Sequence, residues 1–220
     1  MIVDVKGRRF VVTNMTEIEL MAERYNKTFP KWPKLVVDKN WIYGIWNIGN
    51  DYTNATTYYG AYPHGYLKRI MSLFGDDIAK DQILHLFSGS LEINDSDTFD
   101  INSDRHPKIV GDANELSKYL TKQYSLILAD PPYSNEDAVH YGTPFINRNK
   151  VLSECSKVVR PNGYLVWLDQ VLPMYRKVEW IRIGEIGVVR STNHRFRVVE
   201  IFKRRPENVN LNDYPIDTIV

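Results

Sequence analysis

Tyr124-Ser125-Leu126-Ile127-Leu128-Ala129-Asp130-Pro131-Pro132-Tyr133 decides how this chain is read. The first six residues carry no charge and are mostly apolar. They read as a short strand buried on both faces, of the kind found in the middle of a parallel sheet. An acid and two prolines end it. Neither proline has an amide hydrogen, so neither extends a central strand, and the fixed φ holds the chain stiffly extended where it leaves the sheet. A carboxylate, outward-pointing carbonyls and an aromatic ring therefore gather at a strand's carboxyl end. That grouping suits a planar ligand bearing an amino group: Asp130 and a backbone carbonyl accept the amine hydrogens, and Tyr133 stacks on the ring. A rigid loop with an N-capping aspartate is the plainer alternative.

Strand and helix alternate on both sides of this stretch, which predicts a parallel sheet with covering helices. Toward the N-terminus, Tyr62-Pro63-His64-Gly65 is a turn leading into a helix that carries Leu67, Ile70, Met71 and Phe74 on one face. Ile83–Phe87 is a buried strand ending in Ser88-Gly89-Ser90, Thr98–Ile101 a second, and Ile109–Ala113 a third, followed by a short helix with Leu116, Tyr119 and Leu120. Toward the C-terminus, Val151, Leu152, Cys155, Val158 and Val159 fall at helical spacing, and Arg160-Pro161-Asn162-Gly163 stops that helix before a strand at Tyr164–Leu168. Trp180–Arg190 and Phe196–Lys203 read as two antiparallel strands. The expected fold is an α/β open sheet, mostly parallel, ending in an antiparallel hairpin. Ligands on such sheets bind beyond the carboxyl ends of the strands.

The first fifty residues read as an N-terminal extension packed on the core. Ile2–Val5 and Phe10–Val12 flank Lys6-Gly7 as hairpin arms, and Thr16 with Glu19 forms a capping box for a helix through about Tyr25. Trp32, Trp41, Tyr43 and Trp46 follow, expected mainly as packed aromatics. Residues 206–220 read as a loose polar tail.

Composition bounds the function. Of 220 residues, 43% are hydrophobic and 25% charged, which excludes a mainly disordered or fibrous chain. The single cysteine, Cys155, excludes a disulfide framework, and the five histidines show no metal-ligand spacing, so no metal is expected. With no long apolar run and no leader-like N-terminus, the chain is expected in the cytoplasm and not in a membrane. The net charge of +1 conceals an asymmetry: between Arg160 and Arg205 ten basic residues face four acids. A polyanion can lie along one side of such a protein, although a solvated, charged sheet edge is the plainer explanation on composition alone.

Asp130-Pro131-Pro132-Tyr133 after a hydrophobic strand resembles motif IV of the amino-methylating, S-adenosylmethionine-dependent methyltransferases of class I, best known from adenine-N6 DNA methyltransferases. Leu86–Ser90 resembles their cofactor motif I, Asp100 motif II, Gly111-Asp112-Ala113 motif III, and Tyr62–Gly65 motif X. The resemblance spans about Asp51 to Arg204 and identifies 51–205 as a methyltransferase domain of Rossmann-like fold.

It implies a cofactor, S-adenosyl-L-methionine, held by Phe87, Ser88, Gly89 and Ser90 through their backbone. Asp100 would accept from the ribose hydroxyls and Asp112 from the adenine amine, with Ala113 donating and Pro63 and Gly65 closing the methionine side. It gives Asp130, Pro131, Pro132 and Tyr133 the catalytic role. Arg176 and Lys177, and the loop residues Asn193, His194 and Arg195, become candidate nucleic-acid contacts. The seven residues from Leu91 to Asp97 cannot hold a crossover helix, so the first covering helix is expected to be missing. No gap has room for a target-recognition region, which points to little built-in sequence specificity or a recognition partner protein. The expected substrate is adenine N6 in DNA; an RNA amino group of ribosomal type and a catalytically inactive binding protein of the same fold are the alternatives.

Overall fold

β8 (Tyr124–Ala129) is buried along its whole length, with a parallel neighbour on each side, β5 (Ile83–Leu86) and β9 (Val159–Asp169). This is a computed structural model, and it describes residues 2–5, 8–11, 15–49, 62–91, 93, 95–140, 143–190 and 196–206. The pleat sends alternate side chains of β8 to opposite faces. Leu126 and Leu128 enter one hydrophobic cluster with α1 (Glu17–Thr28) and α2 (Tyr66–Phe74); Ile127 and Ala129 enter another with α4 (Arg148–Val158). Helices thus cover both faces, as an uninterrupted apolar strand requires.

Outward from β5 lie β6 (Asp97–Asp100) and β7 (Ile109–Val110), both parallel. Outward from β9 come β11 (Phe196–Arg204), antiparallel, and β10 (Trp180–Arg190), antiparallel to β11. The expected sheet, mostly parallel and finished by an antiparallel hairpin, is present, but it continues further. β4 (Trp41–Ile48) joins β10 in parallel, and β3 (Val36–Asp38) forms the edge, giving nine strands in the order β3-β4-β10-β11-β9-β8-β5-β6-β7. The aromatic stretch of the N-terminal segment is therefore partly a sheet strand: Trp46 is fully buried, whereas Tyr43 is 43% exposed. β1 (Ile2–Val5) and β2 (Arg8–Val11) pair as the expected hairpin arms.

The capping box of Thr16 and Glu19 opens α1 as expected, and Ile18, Met21, Ala22 and Tyr25 face the core. β9 starts earlier than the sequence suggests. It runs through Arg160–Gly163, where Asn162 takes φ 63° and the pairing with β8 skips from Tyr124–Val159 to Leu126–Tyr164. Between β5 and β6 no helix occurs among the described residues. Parallel pairing survives because β6 begins opposite Leu84, so the connection returns past only three residues of β5, about 10 Å. No helix among the described residues is long and apolar enough to cross a membrane.

The β4–β10 junction depends on Gly184. A Cβ there would lie 2.1 Å from Ile42 Cγ2 and 2.8 Å from Ile42 O. Gly184→Ala is expected to lower unfolding free energy by about 2–3 kcal/mol, read by urea denaturation. An unchanged midpoint would show that the two strands separate freely.

Candidate active site

The strand order reverses between β5 and β8, whose carboxyl ends meet where Asp130 N donates toward Leu86 O at 3.5 Å. Such a switch point leaves a crevice, because the connections leave in opposite directions. Asp130 to Tyr133 leave β8 directly into it. The Tyr133 hydroxyl donates to Asp130 Oδ1, and the guanidinium of Arg197, the second residue of β11, lies 4.3 Å from the Tyr133 ring centroid. Tyr133 thus meets a cation on its ring and a carboxylate at its tip.

Charges balance unevenly around Asp130. Burial raises its carboxyl to about 6; the Arg197 cation and the Tyr133 hydroxyl pull it down, and Asp169 pushes it up. Burial and the Asp130 charge also hold the Tyr133 phenol protonated.

The turn is anchored from behind by an ion pair to the buried Asp169. Arg148, the first residue of α4, donates from Nε to Asp169 Oδ2 at 2.7 Å and from Nη2 to Asp169 Oδ1 at 3.2 Å. The same Nη2 donates to Tyr133 O at 3.0 Å. Asp169 also accepts from Trp167 Nε1 at 3.1 Å and Gln170 N at 2.7 Å, so its oxygens are well satisfied. The two stiff prolines thus lead into a turn with a fixed exit.

The Tyr62–Gly65 turn reaches the same crevice. Pro63 is buried, Gly65 takes φ 71° as the N-cap of α2, and nothing lies within 4 Å of a Cβ built on Gly65. Tyr62 donates to Leu128 O at 3.2 Å, lies 3.4 Å from His85 Nδ1, and stacks on Tyr66 with centroids 5.2 Å apart. Burial holds His85 neutral by lowering it to about 4.

On the β5 side, Phe87 adopts φ 61°, a left-handed conformation that is strained for a side chain of its size, and meets Trp167 edge-on at 6.3 Å. Ser88 is 3% exposed, and its Oγ has no hydrogen-bond partner among the described residues. Gly89 takes φ 52° and donates to Asp100 Oδ2 at 2.8 Å, while Asn102 N donates to Oδ1 at 2.9 Å. Asp100 therefore braces the helix-less turn, with one lone pair per oxygen left to accept. Ser90 is exposed beside it. Asp112 is occupied locally: Oδ1 accepts from Asn114 N at 2.8 Å and Asn114 Nδ2 at 2.9 Å, capping the 3-10 turn that begins at the buried Ala113.

The structure thus brings Pro63, Gly65, Phe87, Ser88, Gly89, Asp100 and the Asp130–Tyr133 turn to one end of the sheet. It does not bring Arg176 and Lys177 there. They precede Trp180 at the start of β10, which pairs with Arg204 at the opposite end of the sheet, and Arg176 is bound to Glu179 at 2.9 Å. The chain after β9 crosses the sheet before entering β10, and so carries these cations away from Asp130. Asn193, His194 and Arg195 lie outside the described residues.

Four residues of this edge escaped the sequence reading: Tyr66, Arg148, Asp169 and Arg197. The available signals were slight. Asp169 ends a buried strand at the same level as Asp130, and Arg197 was legible only as one of many basic residues.

No protein-family model matches the chain, and no curated protein matches it. Among solved structures it is similar to TrmN from Thermus thermophilus, with 13% identity, a TM-score of 0.49, 66% of this chain covered and 50% of that one. It thus spans half the length of TrmN. It is similar also to an rRNA methylase from Streptococcus thermophilus (8% identity, TM-score 0.37, 60% and 91% covered) and to the N-methyltransferase NodS from Bradyrhizobium japonicum (13%, 0.40, 60% and 89%).

Proposed function

We propose that this chain is an S-adenosylmethionine-dependent methyltransferase acting on an exocyclic amino group, with adenine N6 in DNA as the first substrate. The observation that carries the reading is the Asp130–Tyr133 turn at the switch point, a carboxylate set among two prolines and a stacking ring and anchored by Arg148. The unpartnered buried Ser88 Oγ and the Asp100-braced turn opposite it fit a second, polar ligand.

Phe87, Ser88, Gly89 and Ser90, Asp100, Ala113, Pro63 and Gly65 are the residues that would hold the cofactor, Asp112 contributing beyond its cap. S-adenosylmethionine bound there supplies an activated methyl group. The chain's own residues prepare the acceptor. The lone pair of an aromatic amine is delocalised into its ring, which makes it a poor nucleophile. Asp130 and the Pro131 carbonyl accept its two hydrogens, and those bonds strengthen as the nitrogen becomes tetrahedral, where they lower the barrier. Because Tyr133 donates to Asp130 Oδ1 in the free protein, the incoming amine shares the carboxylate with that hydroxyl. In duplex DNA the base leaves the stack first, and Tyr133 receives it. Asn193, His194 and Arg195 are proposed contacts to the strand, and a partner protein is proposed for sequence recognition.

The test offers isotopically labelled S-adenosylmethionine with duplex DNA, single-stranded DNA and RNA in parallel, followed by digestion to nucleosides and identification by mass. Labelled N6-methyldeoxyadenosine is the expected product. N6-methyladenosine from RNA alone would move the substrate, and no transfer together with no cofactor binding would overturn the reading.

Acidity checks it independently. Below about 6 Asp130 is protonated and loses acceptor capacity. Single-turnover rates are therefore expected to fall about tenfold per pH unit below that point and to level off above 7. Asp130→Asn, which cannot ionise, is expected to flatten this limb; an unchanged profile in that variant would assign the titration elsewhere.

A further inference from the structure

Three buried polar atoms at this edge have no hydrogen-bond partner among the described residues: Ser88 Oγ, Tyr66 Oη and Arg197 Nε. These residues are 3%, 0% and 8% exposed. An unmet buried donor costs on the order of 1–3 kcal/mol, so such atoms at the end of an open sheet mark where a ligand completes the structure. Ser88 belongs to the turn already assigned to the cofactor. Tyr66 and Arg197 do not, and they lie on the other side of Asp130.

We infer that Tyr66 and Arg197 form the donor half of the substrate pocket, one of the two giving the hydrogen bond to the single in-plane lone pair of the ring acceptor beside the amine that Asp130 and Pro131 hold. This rests on the reading that the site methylates an exocyclic amine. Three observations converge on it. The Arg197 guanidinium lies over the Tyr133 ring, 4.3 Å from its centroid, at the carboxyl end of the sheet. Tyr66 is the first residue of α2, and its ring is stacked on Tyr62, which is tied to Leu128 O two residues before Asp130. The Tyr66 hydroxyl lies within electrostatic reach of both Asp130 and Arg197, and Tyr133 within reach of Tyr66. Burial keeps the Tyr66 phenol protonated, and a guanidinium is always protonated, so both are donors across the ordinary pH range.

The chemistry selects a substrate edge. In adenine the carbon bearing the amine also bonds ring N1, an in-plane acceptor; in cytosine N3 holds the same position beside N4. Acceptors on one side of the pocket and donors on the other read that N–H/N pair together. An aliphatic amine presents no such acceptor, and would leave Tyr66 and Arg197 unmet. The pocket thus favours a base amine over a lysine-type amine, with Tyr133 fixing the ring plane.

The test uses a single-stranded oligodeoxynucleotide with one adenine, and the same strand with 1-deazaadenine, in which N1 is a C–H. A second pair carries cytosine and 3-deazacytosine. For whichever parent base the wild type methylates, the deaza analogue is expected to lose about 100-fold in kcat/KM, because a buried donor goes unpaired. Tyr66→Phe keeps the ring stack and removes the donor; Arg197→Met keeps much of the bulk. In the variant that loses the bonding donor, transfer to the parent base is expected to fall about tenfold or more, and the deaza penalty to shrink to under about fivefold. Unchanged cofactor affinity verifies that the variants are folded. Equal use of parent and deaza bases by the wild type overturns the inference while leaving the methyltransferase intact. So does a penalty of unaltered size in both variants. No transfer to either parent base overturns the function itself, and this inference with it.

Discussion

Asp130→Ala is expected to lower the rate of methyl transfer by about a thousandfold or more while leaving cofactor affinity within about threefold of the wild type. The asymmetry follows from where the groups sit. Asp130 is the carboxylate at the end of β8, whereas the turn assigned to the cofactor is braced by Asp100, through Gly89 N and Asn102 N. Alanine removes the acceptor proposed for the amine and also strands two neighbours. The Tyr133 hydroxyl loses its partner, and the Arg197 cation loses the carboxylate that faces it. Both are then free to reorient, so the ring proposed to receive the base loses its fixed tip. Isothermal titration with S-adenosylhomocysteine beside single-turnover transfer separates the two effects. A variant that kept most of the wild-type rate would sink the mechanism. Loss of rate and affinity together would mean that the switch point collapses without Asp130.

The second large effect is on stability. Arg148→Met is expected to cost about 3–5 kcal/mol, because it leaves Asp169, whose side chain is 2% exposed, without its cation. Trp167 Nε1 and Gln170 N would still bond the carboxylate, but neither brings a full positive charge. The substitution also frees Tyr133 O, so the Pro-Pro-Tyr turn loses its anchor. Urea denaturation measures the first effect. Transfer assayed well below the unfolding midpoint measures the second, with a drop of about tenfold or more expected. Arg148→Lys is expected to recover only part of either, since an ammonium cannot reproduce the two-pronged contact with Asp169. A variant as stable as the wild type would show that the pair is replaceable.

Much of this fold was legible because its signals are local. β5, β8 and the core of β9 are apolar runs closed by turn residues, and the capping box of Thr16 and Glu19 announced α1. β4 was not legible. Its buried positions Ile42, Trp46 and Ile48 do alternate, but Tyr43 and Ile45 on the other face are also apolar, which blurs the two-residue period. The extent of β9 was hidden by Pro161 and Gly163, which ordinarily end elements but here lie within a bulged strand. At the site, the Asp130–Tyr133 turn could be read because its chemistry is contiguous. Tyr66, Arg148, Asp169 and Arg197 could not, because each acquires meaning only from a partner brought in by the sheet: Arg148 from Asp169, Arg197 from Tyr133, Tyr66 from Tyr62 and Asp130. Arg176 and Lys177 erred in the other direction. Nearness in sequence to the end of β9 suggested the active edge, but the crossover to β10 takes them to the far one.

The parallel seam in which Ile42 faces Gly184 also sets a timetable. On the ribosome, β4 leaves the exit tunnel long before its partner exists. At ordinary elongation speeds of about 5–20 residues per second, the wait is on the order of ten seconds. Until β10 arrives, a strand with apolar residues on both faces has an open flank, and α1 and α2 have only part of the sheet to cover. A nascent chain stalled short of residue 180 is therefore an adhesive one, a natural client for chaperones, and release of the finished hairpin is the event that withdraws that surface from the cell.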